Sequence, residues 1–172
     1  GDPAACYRVA MLLGENGGIR GGLPRDDAIV EARAWMMKGA ELGSVDAQME
    51  VAGSISDGSS GPALADHEAR CKMALPWYHK AAVQGHGVAL MHLSNCYMQG
   101  LNGVEKNTKN LVVGVYYLRQ AVEAGEKGAA CSLGTFHCSG ALEEVGVEED
   151  HAEGFRLFTT VVDDATANNH VR

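Results

Sequence analysis

Residues 116–140 read "YYLRQAVEAGEKGAACSLGTFHCSG". The stretch opens aromatic and apolar, breaks at Gly125, and resumes with alanines, Cys131, His137 and Cys138. Two readings compete: a metal or catalytic cluster in the second half, or one copy of a repeating structural unit. Moving back along the chain decides between them. Residues 76–100 read "PWYHKAAVQGHGVALMHLSNCYMQG", residues 34–58 read "AWMMKGAELGSVDAQMEVAGSISDG", and the three blocks align without a gap. An aromatic recurs at Trp35, Trp77 and Tyr117, and small residues follow at Gly39–Ala40, Ala81–Ala82 and Ala121. A glycine falls at Gly43, Gly85 and Gly125, then an alanine at Ala47, Ala89 and Ala129, and each block closes on Gly58, Gly100 or Gly140.

The physics of this pattern is a pair of antiparallel helices. Trp77, Ala81 and Ala82 share a face at helical spacing, and Gly85 falls where a helix end needs positive φ. Ala89, Leu93 and Tyr97 then form one stripe of the next helix. A single hairpin cannot bury its apolar face alone, whereas stacked copies can. The connectors agree: "GVEKN" (103–107) and "GVEED" (146–150) each precede a helical pattern, with Asn107 and Asp150 as expected N-caps. Asp150 and Glu153 have capping-box spacing. Asp66, and Asp26 or Asp27, are the corresponding cap candidates after the Gly/Ser/Pro loops of the earlier units.

These residues carry a family resemblance. Alanine, Leu-Gly or its equivalent, an aromatic, glycine, a "GV" loop and then "W-Y-x-K-A-A-x-x-G" is similar to the Sel-one-like repeat, a relative of the tetratricopeptide repeat. The resemblance covers nearly the whole chain. It implies an all-α fold, a right-handed α/α solenoid of about four antiparallel helix pairs, forming a single array over 1–172 with units at about 4–42, 46–84, 88–124 and 128–165. It also implies a scaffolding role, with no catalytic motif. Some members bridge the paired helices of a repeat with cysteines. Here Ala82 and Val122 hold the bridging place just before the glycine, so all five cysteines are expected to be reduced.

The opening cysteines fit the repeat. Cys131 stands where Met91 and Met49 stand, Cys138 where Met98 stands, and His137 where Tyr97 and Ile55 stand. Cys131 and Cys138 lie about two turns apart, roughly 10 Å along a helix, too far for one ion. His92 and Cys96, four apart, could share one, which leaves a stray zinc site open. No C-x-x-C pair is present. "GENGGIRGG" lacks the G-K-[ST] ending of a phosphate loop, and no G-x-S-x-G occurs. His67, His79, His86 and His151 have no nucleophile at a telling spacing. No enzyme activity, metal or cofactor is expected.

A net charge of −8 and a pI near 5.3 argue against a nucleic-acid partner. No run of eighteen apolar residues occurs, so no membrane insertion is expected. Hydrophobic residues make up 46% of the chain, enough to bury a core. No secretory leader is visible, although the chain starts with Gly1, so a processed leader stays open. An intracellular or organelle interior is favoured over secretion.

Function is therefore sought in a surface. By analogy with the tetratricopeptide register, the first helix of each pair lines a concave groove. That selects Met49, Gly53, Ser56 and Asp57; then Met91, Asn95, Met98 and Gln99; then Cys131, Thr135, Cys138 and Ser139. Such a groove is uncharged and thioether-rich, suited to an apolar or helical peptide, although the methionines could equally be plain packing. The chain is thus expected to be a non-catalytic protein–protein interaction scaffold or adaptor, a subunit or assembly factor of a larger complex. A regulatory repeat segment of a multidomain enzyme is the alternative, and a small metal- or thiol-dependent enzyme a minor one. Phe155, Phe158 and Val162 give the last helix more apolar surface than an end helix should expose. The chain is accordingly expected to belong to a longer protein or stable complex, with a partner covering that helix. Trp77 is expected in the core, its loss costing about 3–5 kcal/mol.

Overall fold

The computed structural model describes residues 1–15, 25–59, 67–100 and 108–167. Two compact units divide the chain, Gly1–Gln84 and Gly85–Arg172. The first holds α1 (Pro3–Glu15), α2 (Arg25–Glu41), α3 (Val45–Asp57) and α4 (His67–Val83). The second holds α5 (Gly87–Gln99), α6 (Thr108–Glu123), α7 (Lys127–Ser139), a 3-10 turn over Glu143–Val145 and α8 (His151–Ala167). Within the first unit α1 packs on α2, α3 on α4, and α2 on α3; within the second α5 packs on α6, α7 on α8, and α6 on α7. Helix pairs are the building block, as the all-α solenoid class requires, and no described helix is long and apolar enough to cross a membrane.

The glycines act where their backbone freedom is needed. Gly43 and Gly125 have φ of 101° and 82°, a region other L-residues rarely adopt. At each, two bonds close the preceding helix: Gly43 N to Ala40 O and Ser44 N to Gly39 O, then Gly125 N to Val122 O and Glu126 N to Ala121 O. This is the double closure of a Schellman turn. The very next residue caps the following helix, Ser44 accepting from Ala47 N and Glu126 from Gly128 N. Termination and restart therefore take two residues, and the second helix of one pair meets the first helix of the next with almost no loop.

Small residues set the distance between paired helices. A Cβ on Gly39 would stand 3.3 Å from both Pro3 O and Tyr7 N of α1. Gly114 is pressed against the Met98 side chain and Ser94 backbone of α5, and Gly154 against Gly134 and Cys138 of α7. The core is correspondingly lean. Ala28, Ala40, Ala47, Ala52, Ala74, Ala81 and Ile55 fill the first unit, with Leu118, Leu133, Val147 and Leu157 in the second.

Three local expectations are corrected. Trp77 is only half-buried, its ring covered by the Lys80 ammonium at 3.9 Å, and the buried aromatic of α4 is its neighbour Tyr78. One residue turns the side chain by about 100° around a helix, so in α4 the repeat position Trp77 lies at the rim and its neighbour Tyr78 in the core. Asp26 and Asp27 lie inside the first turn of α2, where they complement the helix dipole instead of capping. Asp150 does cap α8, accepting from Ala152 N and Glu153 N at 2.9 and 3.0 Å. The capping box is not completed, however. Glu153 is held by two bonds from Arg156, while Asp150 N donates to His137 O. Asn107, Asp66 and the glycine-rich loop after α1 lie outside the described residues.

Candidate functional site

Each unit contains a groove between the first helices of its two pairs. The first, about 400 Å³, is bounded by Ala10, Met11 and Gly14 of α1, Ile29, Arg33 and Met36 of α2, and Glu50 and Ser54 of α3. The second, about 480 Å³, is bounded by Ser94, Asn95, Met98 and Gln99 of α5, Leu111 and Leu118 of α6, and Ser132 and Phe136 of α7, with Leu142 and Glu144 at one end. These are the same repeat positions. Ala10, Met11 and Gly14 align with Ser94, Asn95 and Met98; Ile29 and Met36 with Leu111 and Leu118; Glu50 and Ser54 with Ser132 and Phe136. The repeat builds one groove geometry twice and lines it with different chemistry. The first floor is aliphatic and thioether, with Arg33 reaching Ser59 O at 2.7 Å and Glu50 at the rim. The second carries exposed amides at Asn95 and Gln99, and its charged lining residue is Glu144.

Of the residues expected on the groove, Asn95, Met98 and Gln99 of α5 line it. The remainder occupy other places. Met91 puts its sulfur beside Gly128. Ser56 O accepts from Arg70, and Asp57 accepts from Ser59 N at 2.8 Å, which holds its carboxyl below the usual range. Thr135 bonds back to Cys131 O, Ser139 to Phe136 O, and Cys138 lies against Gly154. Met49 and Gly53 are half-buried on α3 outside the groove lining. Four other residues that line the two pockets, Glu50, Ser54, Ser132 and Phe136, each stand one position after an expected residue. They form the opposite flank of the same helices. An i, i+4 pair offset by one was the signal available.

No group of three or more His, Cys, Asp or Glu side chains suited to a metal occurs among the described residues. His92 is exposed on α5 whereas Cys96 is buried. His137 has Nδ1 2.9 Å from Glu148 O, which fixes its ring beside the loop before α8. His79 is half-buried, and desolvation pushes its pKa below the usual histidine value. The unfolded chain therefore binds more protons at this site than the folded one between the two pKa values. Stability contributed by neutral His79 is present above about pH 6.5 and falls as pH drops below it. The melting temperature should decline from pH 7 to 5.5, and less steeply in His79→Gln; equal slopes would remove this role.

Cys6, Cys96, Cys131 and Cys138 are in no disulfide among the described residues, the first two buried and the last two half-buried. The side chain of Cys71 lies outside the description. Alkylation under native conditions should label Cys131 and Cys138 well before Cys6 and Cys96, because only exposed thiolates react readily. Mass mapping after denaturation should find all five thiols; a defined cysteine pair resistant to alkylation until reduction would contradict this.

The profile of the Sel1 repeat matches residues 3–44, 45–86, 87–126 and 128–160. Among solved structures, a Sel1 repeat protein from Oxalobacter formigenes is similar over 95% of this chain, with 26% identity and a TM-score of 0.68. The chain spans 57% of that protein's length. A looser likeness, 20% identity and a TM-score of 0.43, links 90% of the chain to 38% of c5321, a protective antigen present in uropathogenic Escherichia coli strains displaying an SLR fold. No curated protein matched the sequence. Repeats of this kind are typically protein–protein interaction modules. Four successive matches, falling on helix pairs joined by the same positive-φ glycines, mean that the chain belongs to the Sel1 repeat family.

Proposed function

We propose that the chain is a non-catalytic scaffold, a subunit or assembly factor that holds an apolar or helical peptide segment of a protein partner in its grooves. The observation that carries this reading is the duplication of one groove at equivalent repeat positions, once in each compact unit. Half-buried methionines suit such a role, because an unbranched thioether adapts to varied side chains. Around them, Asn95 and Gln99 offer donors and acceptors to a peptide backbone. A second contact surface is the exposed apolar face of α8.

Selection of peptides from a random display library tests the grooves. Binding of the selected peptides should fall at least tenfold on Phe136→Ala or Met36→Ala, and stay unchanged on Val83→Ala, an exposed position away from both. Failure to select any peptide, or equal losses at Val83, would count against the grooves as the binding site.

A further inference from the structure

The two grooves differ at one end. In the first unit a cation of the chain itself stands there: Arg33 of α2 lines the pocket, and its guanidinium donates to Ser59 O at 2.7 Å. Ser59 directly follows Gly58, the left-handed residue that ends α3. The partial negative charge of a helix C-terminus favours a cation at this place. A guanidinium is thus the group that this turn takes up when the sequence supplies one.

The second unit repeats the turn without the cation. Ala141 directly follows Gly140, which ends α7 in the left-handed conformation. Its N–H donates to Ser139 Oγ at 3.4 Å, as Ser59 N donates to Asp57 Oδ1, also two residues back, at 2.8 Å. At the repeat position of Arg33, set by the register of Gly43 and Gly125, α6 carries Val115, uncharged and 4% exposed. Ala141 lines the pocket, as do Gln99 at the end of α5 and Glu144 of the 3-10 turn. No described residue donates to the Ala141 carbonyl or pairs with the Glu144 carboxylate, and the side chains of Asn95 and Gln99 bond to no described residue. A carboxylate and two helix C-termini therefore meet at this end of the pocket with no cation among the described residues to offset them.

We propose that the second groove receives an arginine of the partner peptide, its guanidinium seated against Glu144 and the Ala141 carbonyl in the place that Arg33 fills in the first unit. This rests on the scaffold reading for a peptide in the groove, and adds the side chain that the groove selects. Arginine suits the place better than lysine, because its planar fork bonds a carboxylate and a carbonyl at once. Beside it, Leu111 and Phe136 take apolar residues of the peptide, and the free amides of Asn95 and Gln99 take its backbone.

Peptides selected on the whole chain from a random display library, and sorted for those that Phe136→Ala releases, test it. These should share an arginine. Replacing that arginine by citrulline, which keeps the shape and loses the charge, should weaken binding about tenfold, and so should Glu144→Gln. The two changes together should cost little more than either alone, because they remove one contact. Glu41→Gln, at an exposed carboxylate of the first unit, should change nothing. Circular dichroism melts check that Glu144→Gln is folded, and Glu144→Lys should recover binding to a peptide with glutamate in place of the arginine. Groove-bound peptides with no recurring arginine, or with one that citrulline replaces without loss, overturn the proposal and leave the groove reading intact. An arginine whose contribution survives Glu144→Gln overturns it too, since the guanidinium then seats elsewhere. If Phe136→Ala releases no peptide, the groove reading fails and this proposal falls with it.

Discussion

Replacing Tyr78 with alanine should cost about 3–5 kcal/mol, the range for deleting a buried large aromatic. Tyr78 is the buried aromatic of α4, flanked in the first unit's core by Ala74 and Ala81, which are too small to collapse into the space it leaves. Trp77→Ala, one residue away, should cost only about 1–2 kcal/mol, from partial burial and a lost cation–π contact with Lys80. Urea unfolding followed by circular dichroism separates the two. A larger loss at Trp77 than at Tyr78 would mean that α4 is rotated to bury Trp77 instead.

The second large effect concerns helix approach. Gly154→Ala should destabilise the second unit by about 1–3 kcal/mol, because inserted volume in a close-packed contact forces backbone shifts. The new Cβ would run into Cys138 Sγ and stand 2.9 Å from Gly134 O, a backbone atom that cannot rotate away. This outweighs the helix-propensity gain of up to about 1 kcal/mol from removing a glycine. Gly53→Ala on α3 should go the other way, stabilising by about 0.5–1 kcal/mol, since nothing lies within 4 Å of its added Cβ. Denaturation midpoints moving in opposite directions are the expected result; a stabilised Gly154→Ala would show that α7 and α8 do not cross at these glycines.

The glycines differ in what makes each of them matter. Gly43 and Gly125 announced helix ends because their conformation is a property of the residue itself, and the structure places both at positive φ. Gly154 gave no such announcement. Its role comes from Gly134 and Cys138, which are close only once α7 and α8 have packed. The same division runs through the groove. Of the residues lining the second pocket, Asn95, Met98 and Gln99 are among those expected from register and Ser132 and Phe136 are not, because both flanks of a first helix look alike until its neighbours are in place.

Repeat period, turn positions, helix pairing and family were thus legible along the chain. Each depends on local conformational preference or on a spacing that recurs, and neither needs a distant contact to be recognised. Rotation about each helix axis was not legible. It moved burial from Trp77 to Tyr78, drew Glu153 to Arg156 instead of back to the α8 cap, and set Glu50 rather than Met49 along the first unit's pocket. Neighbouring residues differ by only about 100° around a helix, so packing against the other helices decides which of them is covered.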